Sequence, residues 1–229
     1  VQIFRRCVSV AAALSLWGFM RWIHQLPVRA LGLGAWREGK RQLLRGLLLG
    51  FGAVLTVGGV YLATGACRVA ITPDTSKLWR TVLGFLPAAG LVAVLEELIF
   101  RGYVLQRLLA CSTGLAVVGS SVAYALVHLR PTIEWPTTAL ELVGLALLGG
   151  VLAAATRRTQ QLYLAIGLHA ALAYCARVNK LLVQFPDSPV RWLVGTNRLV
   201  NGVAGWLVLL GIGWVVLRGM RTAKAIRSA

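Results

Sequence analysis

The sequence predicts an all-α fold: a polytopic transmembrane helix bundle of about six to eight membrane helices with short interfacial helices, forming one membrane-embedded domain over residues 1–229. Three observations predict it. Hydrophobic residues make up 58% of the chain and the mean hydropathy is +0.74. Charged residues make up only 14%, against about 25% in a soluble domain. Several apolar runs approach the ~20 residues that a helix needs to cross a bilayer. No strict period of two persists over successive ten-residue segments, which argues against an outer-membrane barrel.

Taken in order, the membrane segments are expected at 7–23, 46–66, 80–100, 112–128, 139–156, 161–176 and 202–217. The first 20 residues have a basic start and an apolar centre, as a signal peptide has. They lack a small-x-small cleavage site leading into a soluble domain, so they are read as a first membrane helix. Residues 24–45 read as a basic linker, with His24 an interfacial loop residue. The segment 46–66 is rich in glycine, which lets membrane helices approach closely. "TPDTSK" (72–77) reads as a turn followed by a helix start. "QFPDSPVRW" (184–192) reads as a loop with Trp192 as an interfacial anchor.

The formal charge is +17, from 24 Lys and Arg against 7 Asp and Glu. These basic residues are scattered through the inter-helix segments, as in "WREGKRQLLR" (36–45) and "TRR" (156–158), and no nucleic-acid-binding module accompanies them. The charge is therefore assigned to membrane orientation and contact with anionic lipid, and no nucleic-acid partner is expected. Placing 21–45, 101–111, 157–160 and 218–229 on one side gathers 14 of the 24 there. That side, with the C-terminus, is read as cytoplasmic. The four cysteines (Cys7, Cys67, Cys111, Cys175) lie far apart without a CxxC pattern and are read as packing residues.

Ionisable residues within membrane helices are costly, about +2.5 to +3.5 kcal/mol for a carboxylate at the helix centre, and so point to function. "LVAVLEELIFRGYVLQ" (91–106) holds two of the seven acids, Glu96 and Glu97. Adjacent helical residues point about 100° apart, so the two should not face one partner. Glu97 and Arg101 stand at i,i+4 in the favourable order for an ion pair, which leaves Glu96 for chemistry. His128 follows Tyr124 by four residues in "YALVH", so the ring should pack beside the imidazole. His169 lies in "GLHAAL", whose small residues admit another helix. Glu96, His128 and His169 could converge in a bundle core. Glu141 is the rival carboxylate, read as a residue at a helix start that complements the dipole.

Three motifs now stand in order: "EELIFR" as EExxxR, "YALVH" as aromatic-xxx-His, and "HAALA" as the beginning of HxxxN. Together they resemble the CPBP intramembrane proteases, which include CAAX-prenyl endopeptidases and bacteriocin-processing (Abi) enzymes. The motif-bearing core spans about 80–176. The resemblance implies an intramembrane endopeptidase in which Glu96, assisted by His128, activates water that attacks a peptide bond near the membrane surface. It implies His169 as oxyanion stabiliser and Glu97 and Arg101 as supports, with Tyr124 beside them. It further implies a bacterial plasma (inner) membrane location and a membrane peptide or protein as substrate. Two positions depart from the family pattern. Tyr124 stands where Phe is usual, and Ala173 stands where the third motif has Asn. Loss of one oxyanion donor costs on the order of 10²–10³ in rate.

No cofactor is expected. The competing mechanism makes Glu96, His128 and His169 ligands of a catalytic Zn²⁺, although HExxH is absent. From a different class comes a CPBP-fold scaffold, assembly or immunity factor that binds a membrane protein partner without turnover. A transporter would also use buried Glu and His, but the paired broken-helix repeat expected of one is missing from the sequence.

Overall fold

A computed structural model describes residues 11, 14–23, 25–128, 135–185 and 202–219. Cys7, His24, the loop containing Trp192 and the basic tail after Gly219 lie outside the described residues. Residues 14–18 are helical and run into a π-helical turn, Phe19–Ile23. A short 3-10 turn, Val28–Leu31, ends at Gly32, whose φ of 113° is open to glycine but strained for other residues.

Six longer helices follow: α1 (Trp36–Ala63), α2 (Thr75–Glu97), α3 (Thr113–Val127), α4 (Trp135–Thr159), α5 (Tyr163–Leu182) and α6 (Val203–Gly219). α2 continues through a π segment, Leu98–Val104, and a last α turn, Leu105–Leu109. Two-residue strands, β1 (Arg68–Val69) and β2 (Val183–Gln184), pair antiparallel and clasp the α1–α2 connection to the end of α5.

The helical membrane bundle stands, with fewer spans among the described residues than the six to eight expected. Among the described residues, three helices are long and apolar enough to cross a membrane: Trp36–Ala63, Thr75–Leu109 and Thr137–Thr159. Thr113–Val127 and Val203–Gly219 are shorter apolar helices. α5 is not among the spans because His169, Arg177, Asn179 and Lys180 dilute its hydropathy. His169 is held inside the bundle, whereas Arg177 and Lys180 are exposed near the end of the helix. Ten of its residues, Leu164 through His169 among them, are buried.

α1 lays Gly39, Gly46, Gly50, Ala53, Val57 and Tyr61 along one face, the period of a helix. α5 answers with Gly167 and Ala171. A Cβ on Gly46 would meet the Leu164 carbonyl, and one on Gly167 would meet the Leu43 carbonyl, so the two backbones touch. The register, with Gly39 beside Tyr163 and Gly50 beside Ala171, makes the helices parallel. Small residues permit this close approach.

Boundaries moved at α1, α4 and α5, whereas the helix start expected within "TPDTSK" (72–77) is found. α1 begins at Trp36, so the basic stretch 36–45 is helix, not linker. α2 starts at Thr75, capped by the Asp74 carboxylate accepting from the Lys77 N–H at 2.8 Å. Pro87 sits inside α2 and cannot donate to the turn before it; nearby, the Tyr174 hydroxyl donates to the Val82 carbonyl at 2.9 Å. α4 begins at Trp135, which puts Glu141 in the second turn, buried at 6% exposure. A helix-start role for Glu141 is thereby overturned. α5 runs on to Leu182, six residues past its expected end, because β2 and not a polar residue terminates it.

One end of the bundle gathers several connections. The Leu162 N–H donates to the Gly32 carbonyl at 3.0 Å, and the Tyr163 hydroxyl donates to the Gly34 carbonyl at 3.0 Å. α2 passes this level at Gly102, against Leu31 and Leu162.

Candidate active site

The site begins with the end of α3. His128 is the C-cap residue, and its own N–H donates to the Ala125 carbonyl at 3.1 Å. The Tyr124 carbonyl is then one of the helix's unpaired acceptors. The His128 ring meets that need: Nδ1 lies 2.8 Å from the Tyr124 carbonyl. A carbonyl only accepts, so Nδ1 carries the proton and the neutral ring has a bare Nε2. That Nε2 lies 3.5 Å from Glu96 Oε2.

His169 is built the same way from α5. Its Nδ1 lies 2.8 Å from Glu97 Oε1, and its Nε2 lies 3.7 Å from Glu96 Oε2. Glu97 Oε1 also accepts from Arg101 Nη1 at 3.0 Å, with both side chains fully buried. A carboxylate held by an arginine accepts, so the His169 Nδ1–H donates to it and Nε2 is bare in the neutral ring. A partner on one ring nitrogen fixes the role of the other.

The expectation that Glu96 and Glu97 face different partners is overturned. His169 touches both, Glu97 through Nδ1 and Glu96 through Nε2. An imidazole offers two nitrogens on separate edges, so two diverging side chains can flank it. Helix α2 also leaves α geometry at Leu98, within the EExxxR motif. Such π segments are frequent at functional sites.

Beneath the imidazoles lies an aromatic floor. The Tyr124 ring is tilted against His128 with centroids 4.6 Å apart, and meets His169 edge-on at 5.9 Å. Phe100 meets Tyr124 edge-on at 5.4 Å, and the Arg101 guanidinium carbon stands 4.5 Å from the Tyr124 ring centroid. Arg101 Nη2 donates to the Gly149 carbonyl at 3.3 Å. Gly149 can present that carbonyl because a Cβ there would strike Ser121 of α3. Phe100 and Gly149 are the site residues that motif reasoning missed. The signal for Gly149 was the Gly149–Gly150 pair within an apolar helix.

Exposure grades across the cluster. Glu97 and Arg101 are sealed, His169 is 6% exposed, and Glu96 and His128 are 25% and 32% exposed at their side chains. Glu96 Oε2 is buried without a hydrogen-bond donor among the described residues. Its neighbours are two nitrogens that, in neutral rings, also accept. Ala173 follows His169 by one turn of α5 and is half-buried. Among the described residues, no group of three or more His, Cys, Asp or Glu side chains is arranged to hold a metal ion.

A helical bundle that spans a membrane, buries Glu97, Arg101 and His169 and sets the half-buried Glu96 and His128 against them belongs to the class of polytopic membrane proteins with an ionisable core. Comparison with known families narrows the class. Residues 78–175 match the Rce1-like family, described as type II CAAX prenyl endopeptidase Rce1-like. Over that segment, which holds Glu96, Glu97, Arg101, Tyr124, His128 and His169, the family matched is the one that the three motifs resemble. Neither the curated proteins nor the solved structures compared contain a match.

Proposed function

We propose that the protein is an intramembrane endopeptidase of the CAAX type, in which Glu96 and His128 activate water and His169 stabilises the oxyanion. One observation carries the reading: Glu96 Oε2 stands 3.5 and 3.7 Å from two Nε2 atoms whose rings are tethered through Nδ1. Two acceptors aimed at one place, Glu96 Oε2 and His128 Nε2, suit a molecule with two O–H donors. A water there hydrogen-bonds to Glu96 and to His128 at once.

The step balances as follows. The water oxygen bonds to the scissile carbonyl carbon while Glu96 takes a proton, and the carbonyl π pair moves onto oxygen. Collapse of the tetrahedral adduct breaks the C–N bond, and Glu96 returns its proton to the leaving amine. His169 donates to the oxyanion from Nε2 in its imidazolium form, protonated before the attack and still protonated after it, because Nδ1–H is committed to Glu97. The Glu97–Arg101 pair holds that ring in place, and donors held ready in a site that excludes water are worth more than donors in solution. The substrate is a peptide or membrane protein presented at the membrane. The reading places the protein in a bacterial plasma membrane with its C-terminus cytoplasmic.

Glu96→Gln and His128→Ala are each expected to abolish cleavage of a membrane peptide while the bundle still folds. Full cleavage by either variant would sink the proposal. The Zn²⁺ mechanism through Glu96, His128 and His169 is separated by metal analysis and chelation: stoichiometric metal, with activity lost to chelator, would replace the carboxylate mechanism.

A second reading rests on Ala173, which offers a methyl where the third motif has an amide. On this reading the chain is a scaffold or immunity-type factor that binds a membrane protein. A stable partner in mild detergent, bound equally by Glu96→Gln, would favour it.

A further inference from the structure

Helix α1 is longer than a bilayer requires. Its 28 residues extend about 42 Å at 1.5 Å per residue, whereas the hydrocarbon layer is about 30 Å thick. Roughly 12 Å, eight residues, must project beyond the hydrocarbon. The outward face says which end projects. Opposite the buried Gly39, Gly46 and Gly50, the first three turns present Arg37, Lys40, Arg41 and Arg45, all exposed. The same face then becomes apolar, with Leu48 62% and Leu55 75% exposed. Trp36, 61% exposed, stands at the head of the stripe, as tryptophans do at membrane interfaces.

None of the four cations forms an ion pair with a described residue. Glu38, the one acid in this stretch, is turned toward Gln161 at 3.5 Å. The stripe is also rigid, since the same turns pack their glycine face on α5: Gly39 abuts Tyr163, and Trp36 meets the Tyr163 ring edge-on at 5.9 Å. A helix spur of the length of a headgroup layer, carrying four cations without an ion pair among the described residues above exposed leucines, has the charge and position to meet lipid phosphates.

We propose that Arg37, Lys40, Arg41 and Arg45 form a binding face for anionic phospholipid headgroups in the leaflet at this end of the bundle. The ligand is the phosphate of a phospholipid whose acyl chains lie along Leu48 and Leu55. The face is separate from the Glu96 site, so the proposal stands whether or not the protein cleaves peptides.

The test is native mass spectrometry of the purified full chain with an equimolar mixture of phosphatidylglycerol and phosphatidylcholine. The wild type is expected to retain phosphatidylglycerol preferentially. Each basic contact near an anionic surface is worth roughly fivefold, so Arg37→Gln/Arg41→Gln is expected to cut the preference about 25-fold. Arg37→Lys/Arg41→Lys keeps the charge and should keep the preference, which shows that the fold is intact. Lys77→Gln/Arg80→Gln, at the opposite end, should also keep it. Equal retention of both lipids by the wild type would overturn the proposal, as would a preference unchanged in Arg37→Gln/Arg41→Gln. Binding of a polyglutamate peptide with no lipid preference would assign the face to an acidic protein instead.

Discussion

At the scale of single residues, the site depends on which atoms carry protons. His128 and His169 are each tethered through Nδ1, one by the Tyr124 carbonyl and one by Glu97. ¹⁵N spectra of labelled protein should therefore report Nδ1–H for neutral His128, and an Nε2–H tautomer there would contradict the geometry. Arg101 and Glu97 form a sealed pair. Breaking such a pair leaves an unpaired buried charge, so Arg101→Ala should destabilise the protein by roughly 3–5 kcal/mol, read as a lowered unfolding midpoint. Ala173→Asn returns an amide one turn from His169. If catalysis lacks that donor, the variant should gain rate, by up to about 10²–10³ on the scale of one oxyanion donor, with little change in KM. Much of this was legible in the sequence, because EExxxR and two histidines on later helices are rare chemistry for an apolar chain. The bridging of both carboxylates by His169 was not legible. Helix geometry separates adjacent side chains, but it says nothing of a partner with two nitrogens.

At the scale of elements, the bundle is organised by backbone contact between α1 and α5. Gly46 and Gly167 face the other helix's backbone, where no side chain can move aside. Gly46→Val should therefore cost more than the ~1–3 kcal/mol typical of core overpacking, whereas Gly58→Val, which meets nothing within 4 Å, should fold normally. Thermal unfolding in detergent compares the two, and equal midpoints would contradict the packing. The glycine-rich character of α1 was legible in its sequence; its partner was not. Among the described residues fewer helices qualify as spans than the apolar segments suggested, because hydropathy cannot distinguish a lipid-facing helix from one packed within protein. α5 encloses His169 among its packed residues, while Arg177 and Lys180 are exposed near its end. α1 erred the other way, since its basic first turns look like a linker although they continue the helix.

At the scale of the whole molecule, charge and packing agree on sidedness. Arg37, Lys40 and Arg41 lie on α1 near the α4–α5 connection, and the last turn of α4 before it carries Arg157 and Arg158; the charge bias assigns both segments to one side. Cys111 lies nine residues beyond Gly102 in the exposed turn before α3, past the level of Leu31 and Leu162. Cys67 is buried near the other end, and its burial pushes the thiol above its ordinary value, while Cys175 is buried in α5. With Cys7 replaced by serine, an impermeant maleimide should label Cys111 only from the cytoplasmic face. Labelling in sealed right-side-out vesicles would reverse the topology. The central claim, that the carboxylate and imidazoles around Glu96 hydrolyse a peptide bond at the membrane, is tested most directly by incubating purified wild type and Glu96→Gln with a membrane peptide in ¹⁸O-labelled water. The account predicts cleavage by the wild type alone, with one ¹⁸O in the new carboxyl terminus. Equal cleavage by Glu96→Gln, or by neither protein, would contradict it.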